Sequence, residues 1–241
     1  MKQRLDQFLV AKGLVRSRSQ AESYIRLGDV VINGKVITKA GFLVDDTANV
    51  ELKVKEQYVS RAALKLASVT ETLGIDFRGK TMLDVGSSTG GFTEYALKHG
   101  AKKVFAVELG KDQLHPSLHG NPQIELHEQT DIRDFKTTEP IDIVVMDVSF
   151  ISLREILPHV ATLCEPKTDI IAMVKPQFEA ASSNLKHKGV IKNDRMRRDI
   201  LKDFEAWLTG RFVIIDKADS RIAGSKGNVE RFYKLTVAKK R

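Results

Sequence analysis

Cysteine is almost absent from this chain: Cys164 stands alone in 241 residues. A single thiol excludes an internal disulfide framework and suits a reducing compartment. Proline is scarce, at 6 residues, and the 16 glycines are an ordinary share, which excludes collagen-like and low-complexity classes. Long apolar runs are missing as well. The most apolar stretch, Ile141 to Leu153, is broken by Asp142 and Asp147 and is too short to cross a bilayer. The first twenty residues intersperse Lys2, Arg4, Asp6, Lys12, Arg16 and Arg18 among apolar side chains, unlike a signal peptide. A cytoplasmic location without membrane contact is the expectation. The turn Ser87-Ser88-Thr89 lacks the lysine of a P-loop. His115 and His119 have i,i+4 spacing, but Pro116 interrupts them and no third ligand follows, so no metal is expected.

What is present is globular. Hydrophobic residues make up 42% of the chain, ample for one large domain or a medium one plus a small one. The formal net charge of +8 favours a polyanionic partner, nucleic acid before membrane. That charge is unevenly spread. Residues 1–40 carry eight basic side chains (Lys2, Arg4, Lys12, Arg16, Arg18, Arg26, Lys35, Lys39) against three acidic ones (Asp6, Glu22, Asp29), more than half of the excess in one sixth of the length.

Residues 1–57 read as a small α+β unit. Leu5, Phe8, Leu9 and Leu14 predict a short amphipathic helix stopping near Gly13, and Ser19 with Glu22 has capping-box spacing for a second helix ending at Gly28. Val30-Val31-Ile32, Asn33-Gly34, Lys35-Val36-Ile37 is a hairpin pattern, since Asn-Gly suits a type I′ turn. Arg4-Leu5-Asp6, Ser17-Arg18-Ser19-Gln20-Ala21 and Ile25-x-x-Gly28-x-Val30-x-Ile32-Asn33-Gly34 resemble the S4 RNA-binding domain over residues 2 to about 52. The resemblance implies that the second helix and the start of the hairpin face RNA, with Arg4, Arg16, Arg18, Gln20 and Arg26 as contacts. Residues 54–58 read as a charged linker.

From residue 58 to 241, helices and strands alternate, as in an α/β fold with a mostly parallel sheet. A helix is expected from Tyr58 to about Leu73, and others near 91–99, 152–163 and 194–208. Strands are expected near 81–86, 104–108, 123–127, 141–147, 169–174, 211–216 and 231–237. The segment Ala180 to Asn193 lacks periodicity and is read as an active-site or surface loop.

The organising stretch is Leu83-Asp84-Val85-Gly86-Ser87-Ser88-Thr89-Gly90-Gly91-Phe92, a strand, a glycine turn and a helix start. At the carboxyl end of such a strand a ligand can approach the backbone. A dinucleotide site wants G-x-G-x-x-G, but Ser88 occupies the middle glycine position, and Asp84 opposes a diphosphate while suiting an ammonium group. Glu108, ending the next apolar run, can accept both hydroxyls of a ribose. Amino acid plus nucleoside without phosphate describes S-adenosylmethionine; an NAD fold is the competing reading of this stretch alone. Asp131, in Thr130-Asp131-Ile132-Arg133, stands either near an adenine amino group or at a helix N-cap.

Four more ionisable residues fall where the sheet-end loops converge. Lys65 lies on the helix before the first strand, Asp147 and Lys175 end the fourth and fifth, and Glu230 opens the last. This constellation resembles the Lys-Asp-Lys-Glu tetrad of FtsJ-type RNA ribose 2′-O-methyltransferases. With the S4-like unit in front, the chain resembles the TlyA family of haemolysin-like rRNA methyltransferases. Tyr58-Val59-Ser60-Arg61-x-x-x-Lys65-Leu66, Asp84-Val85-Gly86-x-x-x-Gly90-Gly91-Phe92, Met146-Asp147-Val148-Ser149-Phe150-Ile151-Ser152, Val174-Lys175-Pro176-Gln177-Phe178-Glu179 and Gly227-Asn228-x-Glu230 carry the likeness over essentially the full length.

The resemblance implies a Rossmann-like class I methyltransferase with a seven-stranded sheet, methylating a ribose 2′-hydroxyl, of cytidine in the better-known members, in ribosomal RNA. Lys65, Asp147, Lys175 and Glu230 are then catalytic, with Lys175 the base that takes the hydroxyl proton. Asp84, Gly86, Ser87, Ser88, Gly90, Gly91, Phe92, Glu108, Asp131 and Asp147 form the S-adenosylmethionine set, and Arg61 joins the RNA-facing residues. Some family members carry an Arg-x-Trp-Val linker said to couple the two halves; here it is Glu56-Gln57-Tyr58-Val59. Two other readings stand: an RNA-binding or ribosome-assembly protein with an inactive methyltransferase domain, and a membrane-active haemolysin, which no apolar or amphipathic membrane segment supports.

Overall fold

The computed structural model describes residues 2–15, 17–53, 58–180, 189–191, 193–224 and 227–238. The RNA-facing candidate Arg16, most of the linker and most of the loop read between Ala180 and Asn193 lie outside the described residues.

The chain opens with β1 (Lys2–Arg4), α1 (Leu5–Ala11) and α2 (Arg18–Leu27), followed by β2 (Val30–Ile32), β3 (Lys35–Val36), β4 (Leu43–Asp45) and β5 (Val50–Leu52). The predicted hairpin is present: β2 pairs antiparallel with β3, and Asn33 and Gly34 both take positive φ, 48° and 80°, as a type I′ turn requires. The capping residue of α2 is Ser17 rather than Ser19. Ser17 has extended backbone and its Oγ accepts the Gln20 N–H at 3.2 Å, while Ser19 lies inside the helix. Both serines precede the apolar positions, and only the backbone turn decides which one can reach an orphan N–H. The helix ends as expected at Gly28, in the left-handed region.

The larger part comprises α3 (Arg61–Thr70), β6 (Thr81–Val85), α4 (Gly91–Lys98), β7 (Lys103–Val107), β8 (Ile124–His127), β9 (Ile143–Met146), α5 (Leu153–Thr162), β10 (Asp169–Val174), α6 (Pro176–Glu179), α7 (Asp194–Leu208), β11 (Phe212–Asp219) and β12 (Arg231–Val237). These strands form one seven-stranded sheet in the order β11-β12-β10-β9-β6-β7-β8. Neighbours from β10 to β8 are parallel; β12 runs antiparallel to both β10 and β11. The central strands are covered on both faces, which is why they read as unbroken apolar runs rather than alternating ones. On one face α5 and α7 pack Ile156, Leu157, Val160, Phe204 and Leu208 against the sheet; on the other, α3 and α4 contribute Leu66, Val69, Phe92 and Tyr95.

The N-terminal unit buries its own core of Leu5, Phe8, Leu9, Tyr24, Ile25 and Val30, and that core also takes in Leu64 of α3 and Ile222 from the loop before β12. Tyr58 leads into α3 with its ring 5.6 Å from that of Tyr95 of α4 at a tilt of 49°, and the Val59 N–H donates to Glu94 at 2.6 Å.

Candidate active site

Strand register builds the site. Val85 is opposite both Val107 and Met146, so the residues that follow each strand, Gly86, Glu108 and Asp147, emerge side by side at the carboxyl edge. Antiparallel β12 begins at that same edge, and because Val174 is opposite Arg231, Lys175 adjoins Glu230. Pro176 forces the residue before it out of the helical region, which leaves Lys175 extended (φ −104°, ψ 104°) as the N-cap of α6.

Two ion pairs result. Lys175 Nζ stands 2.6 Å from Asp147 Oδ1 and donates to Ser149 Oγ at 2.8 Å. Lys65, the fifth residue of α3, stands 2.7 Å from Glu230 Oε2 and donates to Oε1 at 2.9 Å. All four side chains are at most 16% exposed. The Glu230 carboxyl is pushed up by burial and by Asp147, against the pull of Lys65 and Lys175, so the four charges act on one another. Ser149 was not singled out from the sequence as a site residue; a hydroxyl two residues beyond a strand-ending aspartate is the signal that marks it.

Two connected hollows flank these pairs. The smaller, about 280 Å³, is lined by Ser60, Arg61, Lys65, Asp84, Gly86, Ser87, Ser88, Phe92 and Asp147 among others. The larger, about 550 Å³, runs past Glu108, Gly110, Gln113, Asp131, Ile132, Val148, Phe150 and Ile156, and shares Gly86, Ser88 and Asp147 with the first. Gly86 has φ 79°, and a Cβ there would stand 3.0 Å from the Asp147 carbonyl oxygen, so the turn admits no larger residue.

The polar groups of this cleft fit a nucleoside carrying an amino-acid tail. Asp84 is 1% exposed; its Oδ2 accepts from Thr93 Oγ1 at 2.7 Å, while Oδ1 has no hydrogen-bond partner among the described residues. Burial, with help from Asp147 and Glu108, pushes its carboxyl up to about 7. An ammonium group would satisfy that oxygen. Glu108 is aimed by two backbone donors, Ser88 N–H at 2.9 Å to Oε2 and Gly110 N–H at 2.7 Å to Oε1, and each oxygen keeps a lone pair for a hydroxyl. Asp131 opens no helix. It caps a turn, accepting the Arg133 N–H at 2.9 Å, and the Arg133 guanidinium, followed by that backbone bond, lowers its carboxyl to about 2. The N-cap alternative is thereby excluded, and the residue lines the larger hollow.

Not every candidate lines the cleft. The side of Gly90 on which a Cβ would stand is filled by Leu114 and Leu118, and a Cβ on Gly91 would overlap Ser60 Oγ; these two glycines let α4 pack rather than admit a ligand. Of the RNA-facing candidates, Arg26 is exposed, and Arg4 and Arg18 hold buried Asp6 in ion pairs of 2.9 Å while staying 43% and 54% exposed. Gln20 is turned inward, only 8% exposed. Arg61 is also occupied internally: its guanidinium donates to Ser19 Oγ and, at 2.9 Å, to the Ala223 carbonyl. His115 Nδ1 accepts the Ser117 N–H and the His119 ring meets the Leu114 carbonyl; among the described residues no group of three metal-ligating side chains stands together.

Phe150 escaped sequence reasoning as a site residue. It is 91% exposed at the rim of the larger hollow, with φ 68° and its ring 5.3 Å from that of Phe178. A bulky residue in the left-handed region costs about 1–3 kcal/mol and persists where its surroundings hold it.

The sequence profile of the FtsJ-like methyltransferases matches residues 58–236, which include every residue of the cleft. The chain belongs to this family. A profile of the S4 domain matches residues 3–50 in front of the FtsJ-like part. Relatives extend the likeness along the whole chain. The 23S rRNA (cytidine-2′-O)-methyltransferase TlyA of Campylobacter jejuni is 39% identical over 94% of this chain and 96% of its own length. The 16S/23S rRNA (cytidine-2′-O)-methyltransferase TlyA of Mycobacterium tuberculosis is 37% identical over 96% of this chain and 89% of that one. A solved structure from Streptococcus thermophilus bearing a hemolysin name superposes with a TM-score of 0.72 at 33% identity, covering 98% of this chain and 89% of that one. Among the described residues of the FtsJ-like protein no helix is long and apolar enough to cross a membrane.

Proposed function

We propose that this FtsJ-like methyltransferase moves the methyl group of S-adenosylmethionine to a ribose 2′-hydroxyl of ribosomal RNA, at a cytidine. The observation that carries the reading is the pairing of Lys175 with Asp147 and of Lys65 with Glu230 beside a cleft holding an unsatisfied carboxylate oxygen of Asp84. The bound cofactor supplies an activated methyl on a sulfonium, so the chain's own work is binding, aligning and moving one proton.

Asp84 holds the ammonium end of the cofactor, Glu108 the ribose hydroxyls, and Asp131 the edge of the base. Lys175 Nζ, after giving up its own proton to solvent, accepts the proton of the RNA hydroxyl, and Asp147, 2.6 Å away, stabilises the ammonium so regenerated. Ser149 and Asp147 together fix the direction of Nζ. Glu230 anchors Lys65 at the other wall, where its ammonium can hold the attacking sugar oxygen. Phe150, an exposed ring at the rim, offers a face for a base turned out of the RNA stack. Residues 1–57 serve as the RNA-binding unit and 58–241 as the catalytic one, Arg4, Arg18 and Arg26 presenting charge to phosphates.

The relatives' names leave either ribosomal subunit open as substrate. The deciding experiment is transfer of labelled methyl to purified small and large subunits lacking the modification, followed by mapping of the acceptor. Lys175→Ala is expected to abolish transfer while RNA binding stays within a few-fold. Normal transfer by that variant would refute the base assignment, and methyl on a base nitrogen or carbon would refute the ribose as acceptor.

A further inference from the structure

Two segments that carry the catalytic pair run side by side beyond it. One is the loop from Asp147 to Leu153; the other is Lys175 with α6. Their contacts advance in step. Asp147 and Ser149 both meet Lys175, Phe150 meets Phe178, and Ser152 and Leu153 both meet Glu179. Glu179 closes the far end. It is 1% exposed, Oε2 accepts from Ser152 Oγ at 2.6 Å, Oε1 accepts the Leu153 N–H at 2.8 Å, and Arg154 Nε stands 3.5 Å from Oε2.

A buried carboxylate is an expensive way to join two segments, and an apolar pair would serve packing better. Its geometry does something an apolar contact cannot. One carboxyl group takes two donors from consecutive residues, Ser152 and Leu153, and so fixes both the position and the rotation of the loop's end. Ser152 Oγ is itself held by the Arg154 N–H at 3.2 Å. Between this anchor and Asp147 lie Val148, Ser149, Phe150 and Ile151, with Phe150 in the left-handed region. Ser149, which takes the Lys175 hydrogen bond, lies three residues from the anchored Ser152.

We infer that Glu179 is a positioning residue for methyl transfer, clasping the Asp147–Leu153 loop to α6 so that Ser149 and Asp147 hold the Lys175 amine and Phe150 keeps its exposed pose. The inference rests on the function proposed above. Burial also pushes the Glu179 carboxyl up, against its Ser152, Leu153 and Arg154 partners.

The test compares wild type, Glu179→Ala, Glu179→Gln and Ser152→Ala, with Leu208→Ala as a control that weakens the core remote from the loop. Two readouts are taken. Hydrogen exchange follows the amides of residues 149–153, and steady-state kinetics follow labelled methyl transfer to ribosomal subunits. Glu179→Ala is expected to speed exchange at Leu153 at least tenfold and lower kcat at least tenfold, with KM for the subunit and Kd for S-adenosylhomocysteine within threefold. Glu179→Gln, which keeps one acceptor, should recover much of kcat, and Ser152→Ala should fall between. If Glu179→Ala does not fold, Ser152→Ala carries the test. Unchanged kcat, a loss confined to KM, or an equal loss in Leu208→Ala would overturn the inference. No transfer by wild type to either subunit would instead overturn the proposed function, and the exchange result alone would then decide the clasp.

Discussion

The sharpest consequence of the site geometry concerns pH and cofactor binding through Asp84. In the free protein burial is the largest influence on this carboxyl, Asp147 and Glu108 add to it, and hydrogen bonds from Thr93 oppose it, moving it from 3.8 to about 7. At about 1.4 kcal/mol per pH unit, the anion is disfavoured by about 4 kcal/mol. Between pH 3.8 and 7 the folded state therefore keeps a proton that the unfolded state has lost. Stability contributed by this group falls as pH rises through that window and is level above it. A ligand ammonium at Oδ1 reverses the preference, because it interacts with the anion alone. Binding of S-adenosylhomocysteine should then tighten by about tenfold per pH unit from 5.5 toward 7 and level off above it, where the Asp84 carboxyl is already ionised in the free protein. Titration calorimetry at pH 6 in buffers of different ionisation enthalpy should register release of about 0.9 proton per ligand. Asp84→Asn should bind about equally at pH 5.5 and 7.5 and release none. A wild-type affinity that is flat across this range, or proton release that survives Asp84→Asn, would refute the assignment of the ammonium to this oxygen.

Further outcomes follow from packing and capping. Gly91→Ala puts a methyl group into Ser60 Oγ and within 3.1 Å of the Ala63 nitrogen; overpacking of this kind costs about 1–3 kcal/mol, and urea unfolding should report it together with weaker S-adenosylhomocysteine binding. Lys65→Ala strands Glu230, 2% exposed, and should destabilise the fold by about 3–5 kcal/mol at pH 8. That loss should shrink toward pH 5 as the raised Glu230 carboxyl takes a proton, and Lys65→Met with Glu230→Gln should recover much of it. Ser17→Ala removes the α2 cap at a cost of about 1 kcal/mol, seen by calorimetry as a fall in Tm of about 2–4 °C. Cys164, whose thiol burial pushes up to about 12, should resist Ellman's reagent in the native state and react fully in urea.

Much of this molecule is legible in its sequence for a physical reason. Strands covered on both faces, such as Ile143–Met146 and the Ile170–Val174 part of β10, are apolar throughout, so a charge at the end of such a run marks the sheet edge. Asp147, Lys175 and Glu230 stand out in that way, and register then brings them together. What the sequence hides depends on partners far away along the chain. Arg61 looks like a free cation until Ala223, 162 residues on, takes its guanidinium. Gly90 and Gly91 look like ligand-facing glycines until Leu114, Leu118 and Ser60 occupy the space beside them. Gln20 and Ser19 share a polar helix start with Ser17, and nothing local says that Gln20 turns inward and that Ser17 supplies the cap. Phe150 is the reverse case, an aromatic inside the most apolar stretch of the sequence that stands 91% exposed on left-handed backbone.

Leu64 and Ile222 are borrowed by the core of the N-terminal unit, and Arg61 bolts α3 to α2 beside them. Such a joint gives the two units a shared core and a shared hydrogen bond. On the proposed function the molecule then works as a caliper. The arginines proposed to grip RNA and the pocket proposed to modify it would then be set at one span, so the acceptor would be chosen by its distance and bearing from a structured landmark, and a matching nucleotide at any other offset would be passed over.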